Sequence, residues 1–566
     1  MRTDLDEAMD AMMARLTGPG GPLALGGIER FGRVLPTIEG VPGTLPAYFA
    51  HYCAQHGDAT FLVAGDERLS FAQAHAIAQR VAGALAARGI ARGDRVGIAM
   101  RNSPSWIALY MGIVMAGGVA TLLNGWWQAA ELRHAITDVG CRLVFADPPR
   151  VARIAAAGVD VEVVAIDDRA PLADAMAVLG EHAAPLPTVT TDDVATILFT
   201  SGSTGLSKGA WSDHRGVIQA TYSYLSQAMM MLGLATEAGT PPVGQPATML
   251  NLPLFHVTAM VPTMLQSFAM GRKLVLMAKW DAEEAMRLIE AERVTYFVGV
   301  PLMSFEMLTH PNRAAYDLSS VTDFAAGGAP RPAEHVRRIQ EEMGGGAPLI
   351  GYGLTETNAV GVGNWRGNYL AKPLSAGRPS KPLVEIGILD DAGAEVAQGT
   401  SGEIAIRTIC NARGYWGNEA ATAAAFLPDG WFRSGDLGYL DEDGYLFIVD
   451  RKKDIIIRGG ENISCQEVED ALYLNADVAE ACVFGVPDER FGEVPGAVVR
   501  PAEGATLDRG ELVTFLQGHI AAFKVPHRIW IAPHPLPRLG TEKIDKVALR
   551  TAYRAIAAQE DAVRAG

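Results

Sequence analysis

Two periods of apolar residues alternate along the first two thirds of the chain. Phe71, Ile77, Val81 and Leu85 fall on one face of a helix, and residues 95–100 follow as a short apolar strand. No charge occurs between Arg101 and Glu131. A spanning helix needs about 20 unbroken apolar residues, whereas here Ser103-Pro104 opens a helix and Gly117-Gly118 stops it. The pattern therefore predicts a buried helix from about Pro104 to Ala116 and a buried strand over 119–123. Residues 141–146, 161–166, 194–199, 295–300, 320–324 and 349–352 are further short strands. Residues 244–270 carry no Lys, Arg, Asp or Glu but are broken by Pro246, Pro253 and Pro262, which makes them core. Strand and helix alternating at this pace predict an α/β layer fold with largely parallel sheet.

After about residue 380 the texture changes to strands joined by hairpin-like turns, over 384–389, 402–407, 438–440 and 445–449. The charge cluster Asp450-Arg451-Lys452-Lys453-Asp454 separates two apolar runs, and a domain boundary is placed there. The expected fold is a large α/β N-terminal domain over 1–450, with layered sheets, helices and a β-rich subdomain. A smaller, mobile α+β C-terminal domain over 451–566 follows, with a helix capped at Ser464. At the other end Leu5, Met9, Met12, Met13 and Leu16 have helical spacing, and the opposite face is acidic (Asp4, Asp6, Glu7, Asp10). That is the wrong sign for a transit peptide or a lipid-surface helix. Residues 17–45, rich in Gly and Pro, are expected to wrap the surface.

Charge narrows the partners. The 566 residues carry a net charge of −16 with no Lys/Arg stripe, which excludes nucleic acid as the main partner. No membrane span is expected, though peripheral contact is compatible with the sequence. Five scattered cysteines without a Cys-x-x-Cys pair give neither a disulfide framework nor a zinc site, and a reducing cytoplasm fits them best.

Candidate chemistry begins where the apolar strand 194–199 empties into Thr200-Ser201-Gly202-Ser203-Thr204-Gly205-Leu206-Ser207-Lys208-Gly209. Glycines let backbone N–H groups converge and hydroxyls add donors, which is how a loop holds phosphate oxygens. The spacing is not that of the usual mononucleotide loop. A second element, Gly351-Tyr352-Gly353-Leu354-Thr355-Glu356-Thr357, also follows a strand. Glu356 beside hydroxyls suits a phosphate-bound Mg²⁺, and Tyr352 between glycines can lie flat on a base. Asp436, expected at a tight turn, suits a ribose diol. Arg458-Gly459-Gly460 gives a narrow backbone, and Lys543 sits on a loop near the C-terminus.

In this order and spacing the five elements resemble the adenylate-forming superfamily of acyl-CoA synthetases, peptide-synthetase adenylation domains and luciferases, and among these most resemble a bacterial medium- or long-chain fatty-acid–CoA ligase. The resemblance runs from about Thr44 to Arg550 and includes Asn251-Leu252-Pro253-Leu254-Phe255-His256 and Gly327-Gly328-Ala329-Pro330. It implies an enzyme that joins a carboxylic acid to ATP, releasing pyrophosphate, and passes the acyl group from acyl-AMP to CoA. Residues 200–209, with Lys208, would grip the β,γ-phosphates. Gly328, Ala329 and Tyr352 would form the adenine site, with Pro330, Gly351 and Gly353 also among the nucleotide-binding residues; Thr355 would meet the α-phosphate, and Glu356 would hold Mg²⁺. Asp436 and Arg451 would hold the ribose. Lys453 would be the hinge, Gly459 and Gly460 the wall of a pantetheine tunnel, and Lys543 the adenylation lysine.

Phe255, His256, Val257, Val300, Gly327 and Ala359 would surround the acyl group, with His256 equally readable as a packed core histidine. Glycine at 353 would leave the pocket floor open, so medium- to long-chain fatty acids are expected first and aryl or alicyclic acids second. The alternatives are an adenylating enzyme serving a carrier protein and an acyl-nucleotide-binding sensor without activity. A monomer or homodimer is expected. Glu542 and Cys465 depart from the family pattern at places usually held by Gly and Pro.

Overall fold

The computed structural model describes residues 2–180, 184–200, 207–329, 331–452, 454–459, 461–539 and 543–565. Among the described residues, two large sheets build the N-terminal part. One has seven strands, in the order Gly414–Tyr415, Gly209–Asp213, Val194–Phe199, Val119–Leu122, Arg95–Ala99, Leu143–Ala146 and Glu162–Ala165. Its last five strands are parallel, and the first two run antiparallel at one edge. The other has nine strands, with Ala247–Leu250, Tyr296–Gly299, Asp323–Gly327 and Ala347–Gly353 parallel at its centre and Gly361–Trp365 antiparallel beside them.

Helices Phe71–Ala87 and Pro104–Met115 belong to the main core, which takes residues from both sheets. Every residue of Pro104–Met115 is buried, Ser103 caps it by accepting from Trp106 N, and Gly117 ends it at φ 77°. The uncharged run is thus a core helix and strand, as its breakers dictate. Among the described residues no helix is long and apolar enough to cross a membrane.

A four-stranded antiparallel sheet, Val384–Leu389, Gly402–Thr408, Trp431–Leu440 and Leu446–Arg451, forms the β-rich part. Asp436 lies inside the long strand Trp431–Leu440 and not at a turn; pairing with Arg451 holds it there. Beyond it, Ile456–Arg458, Glu461–Ile463, Val478–Asp488, Gly492–Pro501 and Arg528–Ile531 form a separate sheet. Its own core includes Ile456, Val468, Leu472 and Val499.

Residues Leu25–Arg30 and Arg33–Ile38 pair as an antiparallel hairpin. Of the acidic residues on helix Asp4–Thr17, Asp6 is docked, while Asp4, Glu7 and Asp10 remain exposed. Buried Asp6 accepts from Arg378 Nη1 at 2.9 Å, Tyr445 OH at 2.9 Å and Asn368 Nδ2 at 3.1 Å. Met12 and Met13 pack against Met230 of helix His214–Glu237. Only the tertiary fold supplies the arginine that makes burial of Asp6 tolerable.

Candidate active site

The strand Val194–Phe199 and its return strand Gly209–Asp213 are antiparallel, with Phe199 opposite Gly209. Thr200 N donates to Lys208 O at 3.0 Å, so the two ends of the Gly/Ser/Thr loop are clamped together. Ser201, Gly202, Ser203, Thr204 and Gly205 lie outside the described residues, as do Pro330, Lys453, Gly460 and Glu542.

Lys208 stands over the ring of Tyr415, 5.0 Å from its centroid. Tyr415 OH donates to Glu356 Oε1 at 2.7 Å. Tyr415 belongs to the short edge strand Gly414–Tyr415, opposite Ala210, and Ala412 N donates to the Glu356 carbonyl at 2.7 Å. One residue thus joins the loop's exit strand to the Glu356 turn, Thr355–Thr357. Burial raises the Glu356 pKa, while the Tyr415 hydroxyl and Lys208 act to lower it. Sequence reasoning missed Tyr415. An aromatic in Gly414-Tyr415-Trp416-Gly417, glycine-bounded like Tyr352, was the available signal.

Glu356 is the carboxylate available to a metal. Among the described residues no group of three His, Cys, Asp or Glu could hold one. A single buried carboxylate fits Mg²⁺ only if phosphate and water supply most of the oxygens, which is how that ion binds beside nucleotides.

On the other side of the cleft Tyr352 OH donates to Asp436 Oδ2 at 2.7 Å, and Arg451 Nε meets Asp436 Oδ1 at 3.2 Å. Burial, then the Asp436 charge, pushes the Tyr352 hydroxyl well above its ordinary pKa, so it stays a donor. Gly328 has φ 77° and faces Lys543. A β-carbon on Gly328 would come within 2.7 Å of Lys543 Cε and 2.9 Å of Nζ. Burial lowers the Lys543 pKa to about 8, Arg451 adds to the effect, and Asp436 opposes it.

His256 and Thr258 line the same small cavity as Val300, Gly327, Gly328 and Lys543. Burial and then Lys543 lower the His256 pKa to about 3, so the ring is neutral. Its Nδ1 accepts from Thr258 N at 3.3 Å, which leaves the proton on Nε2. Phe255 and Val257, by contrast, pack into the main core. Ala359 has φ 69°, and its carbonyl accepts from Tyr224 OH at 2.5 Å.

The expectation of an open floor at Gly353 is corrected. A β-carbon there would lie 2.0 Å from Ala359 O, and one on the paired Gly361 2.2 Å from Tyr352 O. These glycines permit close backbone approach. Gly459 packs near Phe491 of its own sheet region, its N–H donating to the Phe491 carbonyl at 2.8 Å, while Lys543 is the group facing Gly328. Cys465 is buried with its thiol pKa pushed up by burial and donates to Asp454 O at 2.9 Å, so packing explains it.

A Gly/Ser/Thr sequence between two strands, a buried carboxylate joined to Lys208 through Tyr415 and a C-terminal lysine brought against Gly328 define the adenylate-forming class. The chain belongs to the AMP-binding enzyme family. Residues 49–416 match that family, and residues 467–543 match the AMP-binding enzyme C-terminal domain. A feruloyl-CoA synthase of Amycolatopsis sp is 34% identical over 502 residues, 88% of this chain and 96% of that protein. A long-chain-fatty-acid–CoA ligase of Mycobacterium tuberculosis is 33% identical over 501 residues, 87% of this chain and 94% of that one. The crystal structure of ATP-bound MatB from Rhodopseudomonas palustris matches with TM-score 0.79 and 31% identity, over 91% of this chain and 100% of that chain. The protein is an AMP-forming acid–thiol ligase that uses ATP and CoA.

Proposed function

We propose that the acid is a medium- or long-chain fatty acid, with an aryl or alicyclic acid as the second reading, favoured by the similarity to a feruloyl-CoA synthase. The observation that carries the site assignment is the Lys543 ammonium seated against Gly328, beside neutral His256 and near the Asp436–Arg451 pair. A carboxylate attacking the α-phosphate is anion meeting anion, and fixed positive charge lowers that barrier. Lys543 would stabilise the charge that develops as the acid oxygen bonds phosphorus and pyrophosphate leaves. Lys208 and the clamped 200–209 loop would hold the outer phosphates, and Tyr415 would keep Glu356 and Lys208 in register. Mg²⁺ bound to phosphate oxygens would be held by Glu356 and would neutralise charge there. Asp436 and Arg451 would hold the ribose; Gly328, Ala329 and Tyr352 would frame the base, and Thr355 would reach the α-phosphate.

The C-terminal domain, taken from residue 451 and hinged at Lys453, would then turn. Lys543 would leave and Gly459-Gly460 would line the thiol's path, so that CoA displaces AMP. His256, neutral and donating from Nε2, would border the acyl carbonyl. A cytoplasmic monomer or homodimer completes this reading.

Release of AMP across a panel of carboxylic acids, with and without CoA, tests it. Sustained turnover should need CoA and favour acids with a sizeable apolar body. Lys543→Ala should slow acyl-AMP formation by about 10²-fold or more and thioester formation from pre-made acyl-AMP far less. Equal loss in both half-reactions would sink the two-conformation scheme.

A further inference from the structure

The nine-stranded sheet presents two faces, and strand alternation sorts its residues between them. Val300, Val298 and Tyr296 share one face with Gly327, Ala325 and Asp323 of the adjacent strand, because Val298 pairs with Ala325 and Tyr296 with Asp323. Phe297 and Phe324 meet on the opposite face, with ring centroids 5.9 Å apart. The first face is the one that reaches the cavity holding Lys543, through Val300 and Gly327.

At the Lys543 end of this face there is room for side-chain atoms at Gly327 and Gly351. Among the described residues, a β-carbon on Gly327 would meet only Gly351 O within 4 Å, at 3.4 Å, and one on Gly351 only Val362 O, at 3.6 Å. Helix His214–Glu237 approaches from above, bonding through Tyr224 OH to the Ala359 carbonyl. From Gly327 and Val300 the same face continues through buried Val298 and Ala325 to Tyr296. Four residues of strand separate Val300 from Tyr296, about 13 Å.

At the far end sits a buried cation. The Arg272 guanidinium lies 4.8 Å from the centroid of the Tyr296 ring. Its Nη1 donates to Gln266 Oε1 at 3.2 Å, and Gln266 Nε2 donates to Tyr224 O at 2.9 Å. These bonds place Arg272 between the sheet and the covering helix. Arg272 is 6% exposed, and among the described residues its Nε has no hydrogen-bond partner. The nearby carboxylate, Asp323, is already engaged by Arg366 through two 2.9 Å bonds. A buried guanidinium without a carboxylate of its own is costly unless another acceptor reaches it.

We propose that Arg272 is a specificity-determining residue, donating to an acceptor oxygen, oxo or carboxylate, at the far end of the acid substrate. The proposal rests on the acid-activating reading of the site and, within it, replaces a plain methyl-ended fatty acid with one that carries a second oxygen function at its far end. The preferred acid has an apolar body spanning about 13 Å, its reacting carboxylate at Lys543 and its second oxygen function at Arg272. An acid ending in a methyl group leaves the Arg272 donors unmet, which a site built for hydrogen bonding penalises.

The experiment uses the full-length enzyme and acids of roughly eight to twelve carbons, matched in length and ending in methyl, oxo or carboxylate. Turnover is read as kcat/KM from AMP release with CoA. The oxo- or carboxylate-ended acid should exceed its methyl-ended match by at least about tenfold at the best length. Arg272→Met should erase that ratio while retaining activity on the methyl-ended acid, and Arg272→Lys should keep part of it. A wild-type enzyme that favours the methyl-ended acids, or an Arg272→Met variant with an unchanged ratio, overturns the proposal and leaves the acid-activating reading standing. The wild-type panel decides by itself if the variant does not fold. Absence of AMP release with every acid overturns both.

Discussion

Lys543 occupies the space that a side chain on Gly328 would need: a β-carbon there would approach Cε to 2.7 Å and Nζ to 2.9 Å. The two residues are 215 positions apart in the chain and come from different domains. Gly328 also sits at φ 77°, where a side chain is strained in any case. Gly328→Ala should therefore displace Lys543 and lower acyl-AMP formation by about 10²-fold, the scale of one lost charge contact in the transition state. Transfer from pre-made acyl-AMP to CoA should fall by much less, and single-turnover assays of each half-reaction measure the difference.

The same lysine sets a pH dependence. Burial lowers its pKa to about 8, so the free enzyme carries the cation below that pH and loses it above. The kcat/KM for ATP in acyl-AMP formation should decline as pH rises through about 8, since that parameter reports the free enzyme. Lys543→Arg should move this alkaline limb beyond the measurable range, because arginine stays charged. On the acid side Glu356, with its pKa raised by burial, should protonate as pH falls and weaken nucleotide binding. His256, already neutral down to about 3, should contribute no limb near neutrality.

Tyr415 offers two separable contacts. Tyr415→Phe keeps the ring under Lys208 and removes the hydroxyl from Glu356; Tyr415→Leu removes both. A hydrogen bond to a charged group contributes about 1.5–3 kcal/mol, so Tyr415→Phe should reduce kcat/KM for ATP by roughly 10- to 100-fold. Tyr415→Leu should be worse. Titration of Mg²⁺ at fixed ATP should show a higher requirement in both variants, and an unchanged Mg²⁺ profile would remove Tyr415 from the phosphate site.

Gly327, unlike Gly353, has room for a side chain. Gly327→Val should fold, narrow the acid pocket and shift preference toward shorter acids; each CH₂ excluded costs about 0.8 kcal/mol. Gly353→Trp, in contrast, should fail to accumulate as folded protein because of the Ala359 carbonyl 2.0 Å from its β-carbon. A chain-length series for the first and a thermal melt for the second check both.

Asp6 predicts an effect far from the chemistry. Asp6→Ala leaves Arg378 without its buried partner and frees Tyr445 and Asn368. Removing one partner of a buried ion pair costs about 3–5 kcal/mol, and Asp10 can offset part of it by holding Arg378. A clear fall in Tm and protease sensitivity near residue 20 should follow, with KM for ATP little changed.

Much of this fold was legible in the sequence because local signals and burial agreed. The helix Pro104–Met115 and its neighbouring strands have Pro, Ser and Gly where chain geometry requires them. The site motifs were legible as well, since loops that hold phosphates or approach a base need Gly, Ser and Thr in short runs. The sequence by itself nominated the residues proposed to carry chemistry: Lys208, Glu356, Asp436 and Lys543. Tertiary structure alone decided their relations, because those depend on packing between segments hundreds of residues apart. It docked Asp6 onto Arg378 and put Asp436 in a strand opposite Arg451. It closed Gly353 against Ala359 and left room for a side chain at Gly327 instead. It also brought Tyr415 to Glu356 and left Arg272 buried over Tyr296; neither residue has a local pattern that reveals its neighbours.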